Sequence, residues 1–296
     1  MMDMSEHRRH DEPRPTRSMR KGMYLLPSLF TTANIAAGYY AISQTIQGTP
    51  ADYWHFDHAA KAIGFAVLFD GLDGRIARLT NTTSAFGKEL DSLADVIAFG
   101  VAPAVLAWMW GFRMLPLLPS MGSISGNDLR TRLVQLGAAV TFLFLIAGAA
   151  RLARFNIQLN PQPSNPGRPG RKYFVGMPIP AGAGVVAAAV HFSRGEPLQS
   201  GWWGLIWSLF VLALAFLMVS TWRFYSFKDV GLQRQPFTAI VAIGALIAAI
   251  WFFSEHVLFF IALTYMLSGV VARLAYVLRR RGSSPPPPPQ FKEALP

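Results

Sequence analysis

DGLDGRIARLTNTTSAFGKELDSLAD, residues 70–95, is the stretch that decides the fold of this chain. It contains four aspartates, Asp70, Asp73, Asp91 and Asp95, in or beside segments that are otherwise apolar enough to enter a lipid bilayer. An aspartate near the middle of a membrane helix costs about 2.5 to 3.5 kcal/mol on insertion, so four of them oppose insertion by roughly 10 kcal/mol. The sequence therefore implies a cation that neutralises them.

The spacing of the aspartates indicates how they meet. Residues three or four apart share one face of a helix. The first two aspartates therefore point one way from one helix, and the last two point one way from the next. The intervening turn lets the two helices run antiparallel, which brings both pairs into one cleft. Four hard oxygen donors suit Mg²⁺, Mn²⁺ or Ca²⁺ better than a thiolate-seeking metal, and two such ions would form a phosphoryl-transfer site of the two-metal kind.

The composition predicts an all-α, polytopic membrane helix bundle. Of the 296 residues, 52% are hydrophobic and 15% are charged, and the apolar residues occur in blocks. The absence of cysteine excludes disulfides, cysteine-ligated zinc and thiol nucleophiles. A net charge of +11 would suggest nucleic acid in a soluble protein. Here the basic residues cluster between the apolar blocks, so we expect them to set the membrane topology and expect no nucleic-acid partner.

Eight apolar stretches have about the 20 residues that a bilayer requires. They span residues 24–43, 58–79, 90–112, 133–156, 177–193, 202–221, 236–253 and 256–279. The last two nearly fuse at Ser254 and Glu255, so a count of seven stays open. The predicted domains are a disordered basic arm at 1–22, the membrane domain at 23–281 and a disordered proline-rich tail at 282–296.

The positions of lysine and arginine predict the orientation in the bilayer. If the N-terminus is cytoplasmic, 22 of the 27 basic residues fall on the cytoplasmic side, in agreement with the positive-inside rule. Both termini are then cytoplasmic, and all four aspartates lie in the cytoplasmic half of the bundle. The fourth predicted span ends in ARLARFN, which brings Arg151 and Arg154 to the same depth. We therefore expect an inner-membrane protein whose site faces the cytoplasm.

The central stretch resembles the motif of a known family. Its pattern, DxxDGxxAR, eight residues, GxxxDxxxD, is that of the CDP-alcohol phosphotransferases. Residues 26–42 and the segments ARLARFN, GMPIPAGAG and STWRFYSFKD look like those of bacterial integral-membrane phosphatidylserine synthases. Together these segments cover roughly residues 24–230. Ser28 stands where the resemblance leads us to expect Asn after the proline, which puts a substrate role for that side chain in doubt.

The resemblance implies a role for each motif residue. Two divalent cations, Mg²⁺ or Mn²⁺, would be held by Asp70, Asp73, Asp91 and Asp95. Asp95 would also act as the general base. Contacts with the CDP group are implied for Asn34, Gly74, Ala77, Arg78 and Gly87. The small residues would let the nucleotide approach the backbone closely. A homodimer is implied as well.

The implied substrates are CDP-diacylglycerol and L-serine, and the implied products are phosphatidylserine and CMP. A serine carboxylate needs a cationic partner, and an arginine can bind it through two hydrogen bonds. The candidates are Arg151, Arg154, Arg168, Arg171 and Lys172. The last three lie in the proline- and glycine-rich segment 159–180, which is either a surface loop or a mobile lid. The two arginines of ARLARFN could instead only balance the aspartates or obey the positive-inside rule.

The sequence leaves three alternatives open. The same scaffold could use glycerol 3-phosphate, inositol phosphate or choline as acceptor, because the aspartates handle only the shared pyrophosphate. Carboxylates inside a membrane also line the ion paths of transporters and channels, although Gly74, Ala77 and Gly87 would then be unexplained. The aspartates could also serve only helix packing or helix caps, as Asp91 near a helix start could do.

Overall fold

A computed structural model describes most of the chain. The described residues are 17–80, 85–120, 125–158, 163–165, 173–226 and 236–279. Within these ranges, the side chains of 17–28, 73–80, 85, 236–240 and 279 lie outside the description. The described chain is mostly helical, as the sequence predicts.

The helices, in chain order, are α1 (Arg17–Gln47), α2 (Trp54–Thr80), α3 (Ala85–Asp95), a π-helical segment (Val96–Val101), α4 (Ala102–Trp108), a second π-helical segment (Met109–Arg113), α5 (Gly126–Ile157), α6 (Ile179–Phe192), α7 (Gly201–Val219) and α8 (Pro236–Arg279). Two short strands, β1 (Tyr173–Val175) and β2 (Arg223–Tyr225), pair antiparallel. The sheet links the segment before α6 to the segment after α7.

Four helical stretches in the described chain are long and apolar enough to cross a membrane, namely Phe86–Arg113, Gly126–Ile157, Gly201–Val219 and Val241–Leu278. This finding makes the chain a multi-pass membrane protein. The last stretch has 38 residues, or about 57 Å of helix, which is nearly twice the thickness of a bilayer core. Helical geometry breaks within it at Phe253 (φ −139°, ψ 40°), next to the predicted junction of the last two spans. The count of eight spans and the orientation of the termini stay predictions.

The beginning of α1 shortens the predicted N-terminal arm. The sequence places a disordered arm at 1–22, but α1 already begins at Arg17. Arginine, methionine and lysine are good helix formers, so the helix extends past the apolar span into the basic segment. Residues 1–16 and the predicted tail at 282–296 lie outside the described residues.

The small sheet is absent from the all-α prediction, and its geometry follows from local backbone constraints. Gly176, directly after β1, has φ of 74° and donates its N–H to the carbonyl oxygen of Trp222 at 2.8 Å. A Cβ at this position would lie 2.6 Å from the carbonyl oxygen of Met218, so only glycine fits. Pro178 precedes α6 and Pro180 lies in its first turn, where a missing N–H is tolerated.

Close contact between helix backbones positions α1 against the middle of the chain. A Cβ on Gly38 would lie 2.9 Å from the Cα of Ala98, so α1 and the first π-helical segment touch almost backbone to backbone. The surrounding core contains Ala41, Ala94 and Ala102, each 0% exposed. Small residues at helix contacts are typical of membrane bundles, because they allow the backbones to approach.

The first π-helical segment begins directly after Asp95. Pro103 has no backbone N–H, so the carbonyl of Phe99 lacks the donor that an α-helix would supply four residues ahead. Within the wider turn, Ala102 donates to the carbonyl oxygen of Ile97, five residues back. The helix therefore continues through the proline with altered register. Single π-helical turns are frequent at functional sites.

Candidate metal centre

Three of the four predicted aspartates converge. One carboxylate oxygen from each of Asp70, Asp91 and Asp95 lies within 4.8 Å of the others. Helix α2 supplies the first of these residues, and α3 supplies the other two from successive turns of one face. The carboxyl groups of Asp70 and Asp95 are close enough to share a hydrogen bond. Asp73 follows on α2, and its side chain lies outside the described residues.

These carboxylates are withdrawn from water and lack full compensation from the protein. Asp95 is 8% exposed, and Oδ1 of Asp91 is buried without a hydrogen-bond partner in the described chain. Neither Asp70 nor Asp91 forms an ion pair with a lysine or arginine of the described segments. Three anionic groups in so small a space repel one another. The donor set therefore fits a divalent cation such as Mg²⁺ or Mn²⁺, which prefers carboxylate oxygens and removes the repulsion.

A buried amide lies at the same level of the bundle. Asn34 is 0% exposed, and neither its Oδ1 nor its Nδ2 has a hydrogen-bond partner among the residues that are described. It lies on α1 one turn before Gly38, and the contact of Gly38 with Ala98 brings this part of α1 to the level of Asp95. A buried polar group without a partner costs about 1 to 3 kcal/mol. The position therefore suits a ligand that satisfies both amide atoms.

Arg154, near the end of α5, ties together backbone segments. Its Nη1 donates to the carbonyl oxygen of Val219 at 2.8 Å, and its Nη2 donates to that of Ser220 at 3.1 Å. The carbonyl oxygens of Val175 and Met218 lie 3.4 and 3.5 Å from Nη2. The last carbonyls of a helix have no partner within the helix, so Arg154 satisfies the end of α7 and joins it to α5 and β1.

Arg151, one turn earlier on α5, has a different environment. It is 7% exposed, yet it forms no hydrogen bond with the described part of the chain. Its guanidinium lies over the ring of Phe155, 5.2 Å from the centroid. It is close enough to Asp70, Asp95 and Tyr265 to interact with them electrostatically. Arg151 therefore borders the carboxylate cluster with guanidinium donors directed to no described acceptor.

Comparison with known proteins identifies the family. The chain matches the profile described as CDP-alcohol phosphatidyltransferase over residues 24–278. This protein belongs to that family. A CDP-diacylglycerol–serine O-phosphatidyltransferase from Helicobacter pylori is 38% identical over 225 residues, which cover 76% of this chain and 82% of the relative.

Two more distant relatives carry the same name. The protein from Mycobacterium leprae is 32% identical over 262 residues, covering 86% of this chain and 76% of the relative. The protein from Methanocaldococcus jannaschii is 30% identical over 209 residues, covering 71% of this chain and 81% of the relative.

Only part of the CDP-alcohol phosphatidyltransferase motif lies among the described side chains. The backbones of Gly74, Ala77 and Arg78 belong to the last turns of α2, but their side chains lie outside the described residues. Gly87 lies in the first turn of α3. Arg168, Arg171 and Lys172 lie outside the described residues altogether. The nucleotide and acceptor contacts of these residues therefore stay predictions.

Sequence reasoning missed one residue beside the family site. Tyr265 lies on α8, which carries no recognised motif, and its hydroxyl donates to the carbonyl oxygen of Tyr225 at 3.2 Å. A tyrosine in the middle of an apolar membrane span is the signal that could have singled this position out.

Proposed function

We propose that this protein transfers the phosphatidyl group of CDP-diacylglycerol to the hydroxyl of L-serine and releases CMP. The observation that carries the proposal is the convergence of Asp70, Asp91 and Asp95 in a member of the CDP-alcohol phosphatidyltransferase family. The names of the relatives support serine as the acceptor. Glycerol 3-phosphate, inositol phosphate and choline are the acceptors that the test below must exclude.

The three aspartates, together with Asp73, hold two divalent cations, Mg²⁺ or Mn²⁺. When bound, these cations neutralise the pyrophosphate oxygens and stabilise the charge that develops on the CMP leaving group. Oδ1 of Asp91 has no hydrogen-bond partner among the described residues, which supports this assignment, because a buried anionic oxygen without a hydrogen bond is unfavourable unless a ligand satisfies it.

Asp95 acts as the general base. The hydroxyl of serine is a very weak acid, so its attack on phosphorus is assisted by a carboxylate that accepts the proton. As the serine oxygen forms the new bond to the phosphatidyl phosphorus, the bond to CMP breaks and the proton passes to Asp95. This residue is the most buried of the three converging carboxylates, which supports a role protected from bulk water.

Arg151 binds the carboxylate of the acceptor serine. Its guanidinium is buried, borders the aspartates and makes no hydrogen bond with the described chain, which supports binding of an anionic group beside the reacting phosphate. Arg154 stabilises the backbone beside the site, because its hydrogen bonds to backbone carbonyls join α5 to the end of α7. Arg168, Arg171 and Lys172 assist at the membrane surface with anionic head groups or substrate.

The CDP group packs against the small residues of the family motif. Its nearest contacts are Asn34, Gly74, Ala77, Arg78 and Gly87. The buried amide of Asn34, which lacks a partner in the described chain, supports a hydrogen-bonding role toward the nucleotide. The lipid tails stay in the bilayer, so no acyl chain leaves hydrocarbon during the reaction.

We place the protein in the inner membrane as a homodimer, with eight spans, cytoplasmic termini and the site facing the cytoplasm. The excess of basic residues in the segments between alternate spans supports this orientation. The membrane domain ends near residue 281, and the proline-rich tail beyond it is solvated.

The test is an acceptor screen with purified protein in detergent. CMP release from CDP-diacylglycerol is measured with L-serine, glycerol 3-phosphate, inositol phosphate or choline, before and after metal removal with EDTA and re-addition of Mg²⁺ or Mn²⁺. We expect CMP and phosphatidylserine only with serine and metal. Asp95→Asn should abolish release, whereas the exposed control Asp52→Asn should not. Release with glycerol 3-phosphate and none with serine would overturn the choice of acceptor.

A further inference from the structure

An asparagine at the end of α5 is hydrogen-bonded to the helix that carries two of the converging aspartates. Nδ2 of Asn156 donates to Oγ of Ser92 on α3 at 3.0 Å. The Ser92 hydroxyl in turn donates to the carbonyl oxygen of Lys88, one turn earlier on α3, at 3.0 Å. A hydroxyl has one proton to donate and can accept at the same time. The two bonds therefore form a chain from the side chain of α5 to the backbone of α3.

Ser92 lies on one flank of the carboxylate face of α3. Asp91 and Asp95 define this face, and its middle lies about 80° around the helix from Ser92 on one side and about 80° from Ala94 on the other. Ala94 is 0% exposed, whereas Leu93, on the opposite side of the helix, is 63% exposed. Packing within the protein therefore restrains the Ala94 flank, and the bond from α5 restrains the Ser92 flank.

The end of α5 is itself fixed in the bundle. Arg154, two residues before Asn156, donates to the carbonyl oxygens of Val219 and Ser220 at the end of α7. The hydrogen bond from Asn156 therefore connects α3 to a part of the structure whose position is set independently of α3. Because α5 also carries Arg151, the same bond relates the aspartates of α3 to the helix of that guanidinium.

We propose that Asn156 is a positioning residue that fixes the rotation of α3 and thereby places its two aspartates relative to Asp70 of α2. This inference rests on the proposed function, because it takes the converging carboxylates as ligands of divalent cations. A carboxylate lies about 6 Å from the axis of its helix, so a rotation of about 10° moves it by about 1 Å. A misplacement of about 1 Å at a reacting centre can lower a rate about 100-fold.

This role differs from that of a residue that binds the acceptor. Asn156 belongs to the same ARLARFN segment as the two arginines predicted to bind the acceptor carboxylate, but its amide donates to α3. Loss of this amide should weaken binding of the metal and slow transfer to any acceptor. A residue in contact with serine would instead raise the KM for serine and leave metal binding unchanged.

Binding of Mn²⁺ to the purified protein, without nucleotide or serine, tests the proposal. Free Mn²⁺ is measured by electron paramagnetic resonance. We expect Asn156→Ala and Ser92→Ala each to weaken binding about three- to tenfold, the effect of about one hydrogen bond. Unchanged Mn²⁺ binding in the two variants would overturn the proposal.

Two matched controls remove the same chemical groups elsewhere. Asn127→Ala removes an exposed amide at the start of α5. Ser208→Ala removes a hydroxyl that donates to the carbonyl oxygen of Gly204, one turn earlier on α7, at 2.9 Å. Both controls should bind Mn²⁺ like the wild type. Equal weakening in the controls would mean that the effect is not specific to the bond between α5 and α3, and the proposal would be wrong.

A double-mutant cycle and a conservative variant distinguish this bond from a general loss of structure. Asn156→Ala and Ser92→Ala remove the same bond, so their combination should weaken Mn²⁺ binding no further than either change alone. Ser92→Thr keeps a hydroxyl and should retain most of the binding. Additive effects in the double variant, or full weakening in Ser92→Thr, would refute the positioning role.

Steady-state kinetics separate the possible failures. In Asn156→Ala we expect kcat for CMP release to fall and the KM for L-serine to stay unchanged. A higher serine KM with unchanged Mn²⁺ binding would make Asn156 an acceptor-binding residue and overturn the proposal. A wild-type protein that binds no Mn²⁺ would overturn the proposed metal site and this inference with it, whereas wild-type binding and synthesis with unaltered variants would overturn this inference alone.

Discussion

Helix α2 contributes an aspartate to each of two clusters, and the two clusters are neutralised in different ways. Near its beginning, Asp57 forms an ion pair with Lys61 at 2.7 Å and a hydrogen bond with Nδ1 of His191. Asp70, 13 residues later and about 20 Å further along the helix, faces other carboxylates instead. The same residue type on one helix is thus paired with basic side chains at one end and lies among carboxylates at the other.

In the cluster around Asp57, the polar side chains are paired with one another. Nε2 of His191 lies 3.0 Å from Oγ of Ser254, and Arg194 and Glu255 form an ion pair at 2.9 Å beside it. These bonds join α2, α6 and the break in α8. The comparison teaches that buried charge alone does not mark a functional site in this bundle. The candidate functional site differs in that neither Asp70 nor Asp91 forms an ion pair with a lysine or arginine of the described residues.

Removal of one converging carboxylate should have the largest effect on activity. In Asp91→Asn we expect CMP release to fall by roughly two to three orders of magnitude, because a preorganised charge at the reacting phosphate is lost. The melting temperature in the absence of metal should not fall, since repulsion among the carboxylates decreases. Mg²⁺ or Mn²⁺ should raise the melting temperature of the wild type but not of the variant. If Asp91→Asn lowered the melting temperature and kept the activity, the cluster of Asp70, Asp91 and Asp95 would be structural, and the comparison would be wrong.

Substitution of His191, in the cluster around Asp57, should lower stability and leave activity unchanged. We expect His191→Ala to lower the free energy of unfolding by about 1 to 3 kcal/mol, because Asp57 loses a buried hydrogen-bond donor. The KM values for both substrates should stay unchanged. His191→Gln, which keeps a donor, should recover part of the loss. Thermal unfolding in detergent measures the change in stability, and the CMP assay measures the KM values. A loss of activity in His191→Ala without a loss of stability would show that the cluster around Asp57 is functional.

The two arginines of α5, Arg151 and Arg154, are also expected to differ in role, one acting on the substrate and the other on stability. Arg151→Lys should raise the serine KM roughly tenfold with little change in the KM for CDP-diacylglycerol, because a lysine cannot form the paired bonds to a carboxylate. Arg154→Lys should instead lower the melting temperature, since bonds to carbonyls of α7 are lost. Steady-state kinetics and thermal unfolding of the two variants, measured together, check this. Equal effects of Arg151→Lys on the two KM values would argue against a serine-carboxylate role.

The smallest effect is expected for a substitution at Gly64, which lies on α2 between Asp57 and Asp70. A Cβ at this position would meet no atom of the described chain within 4 Å. Gly64→Ala should therefore stabilise the protein by about 0.5 kcal/mol through helix propensity alone and leave both activity and metal response unchanged. A change in either property would show that the two clusters are coupled through α2.

The cluster of Asp70, Asp91 and Asp95 could be predicted from the sequence because its members are close in the chain. Residues on successive turns and on adjacent helices meet by helix periodicity, which a sequence displays directly. The cluster around Asp57 could not be predicted in this way. His191 is 134 residues from Asp57 and 63 residues from Ser254, and their meeting depends on how α6 and α8 pack on α2.

The different environments of Arg151 and Arg154 could not be predicted from the sequence either. Both residues belong to ARLARFN, and the sequence makes both of them candidates for binding the acceptor carboxylate. The bonds of Arg154 go to the ends of α7 and β1, so they depend on a sheet of three-residue strands. Strands this short have too few residues to show the alternation by which a strand is predicted.

The π-helical segment after Asp95 determines how this part of the chain can change in length. Its i→i+5 bonding takes up about one residue more per turn than an α-helix does, so loss of one residue from Val96–Val101 would let an ordinary α-helix form with nearly the same rotation between Asp95 and α4. Loss of a second residue would rotate α4 by about 100° relative to Asp95. The faces that α4 buries against α1 and α5 would then turn away from them, so we expect a deletion of one residue here to be tolerated better than a deletion of two.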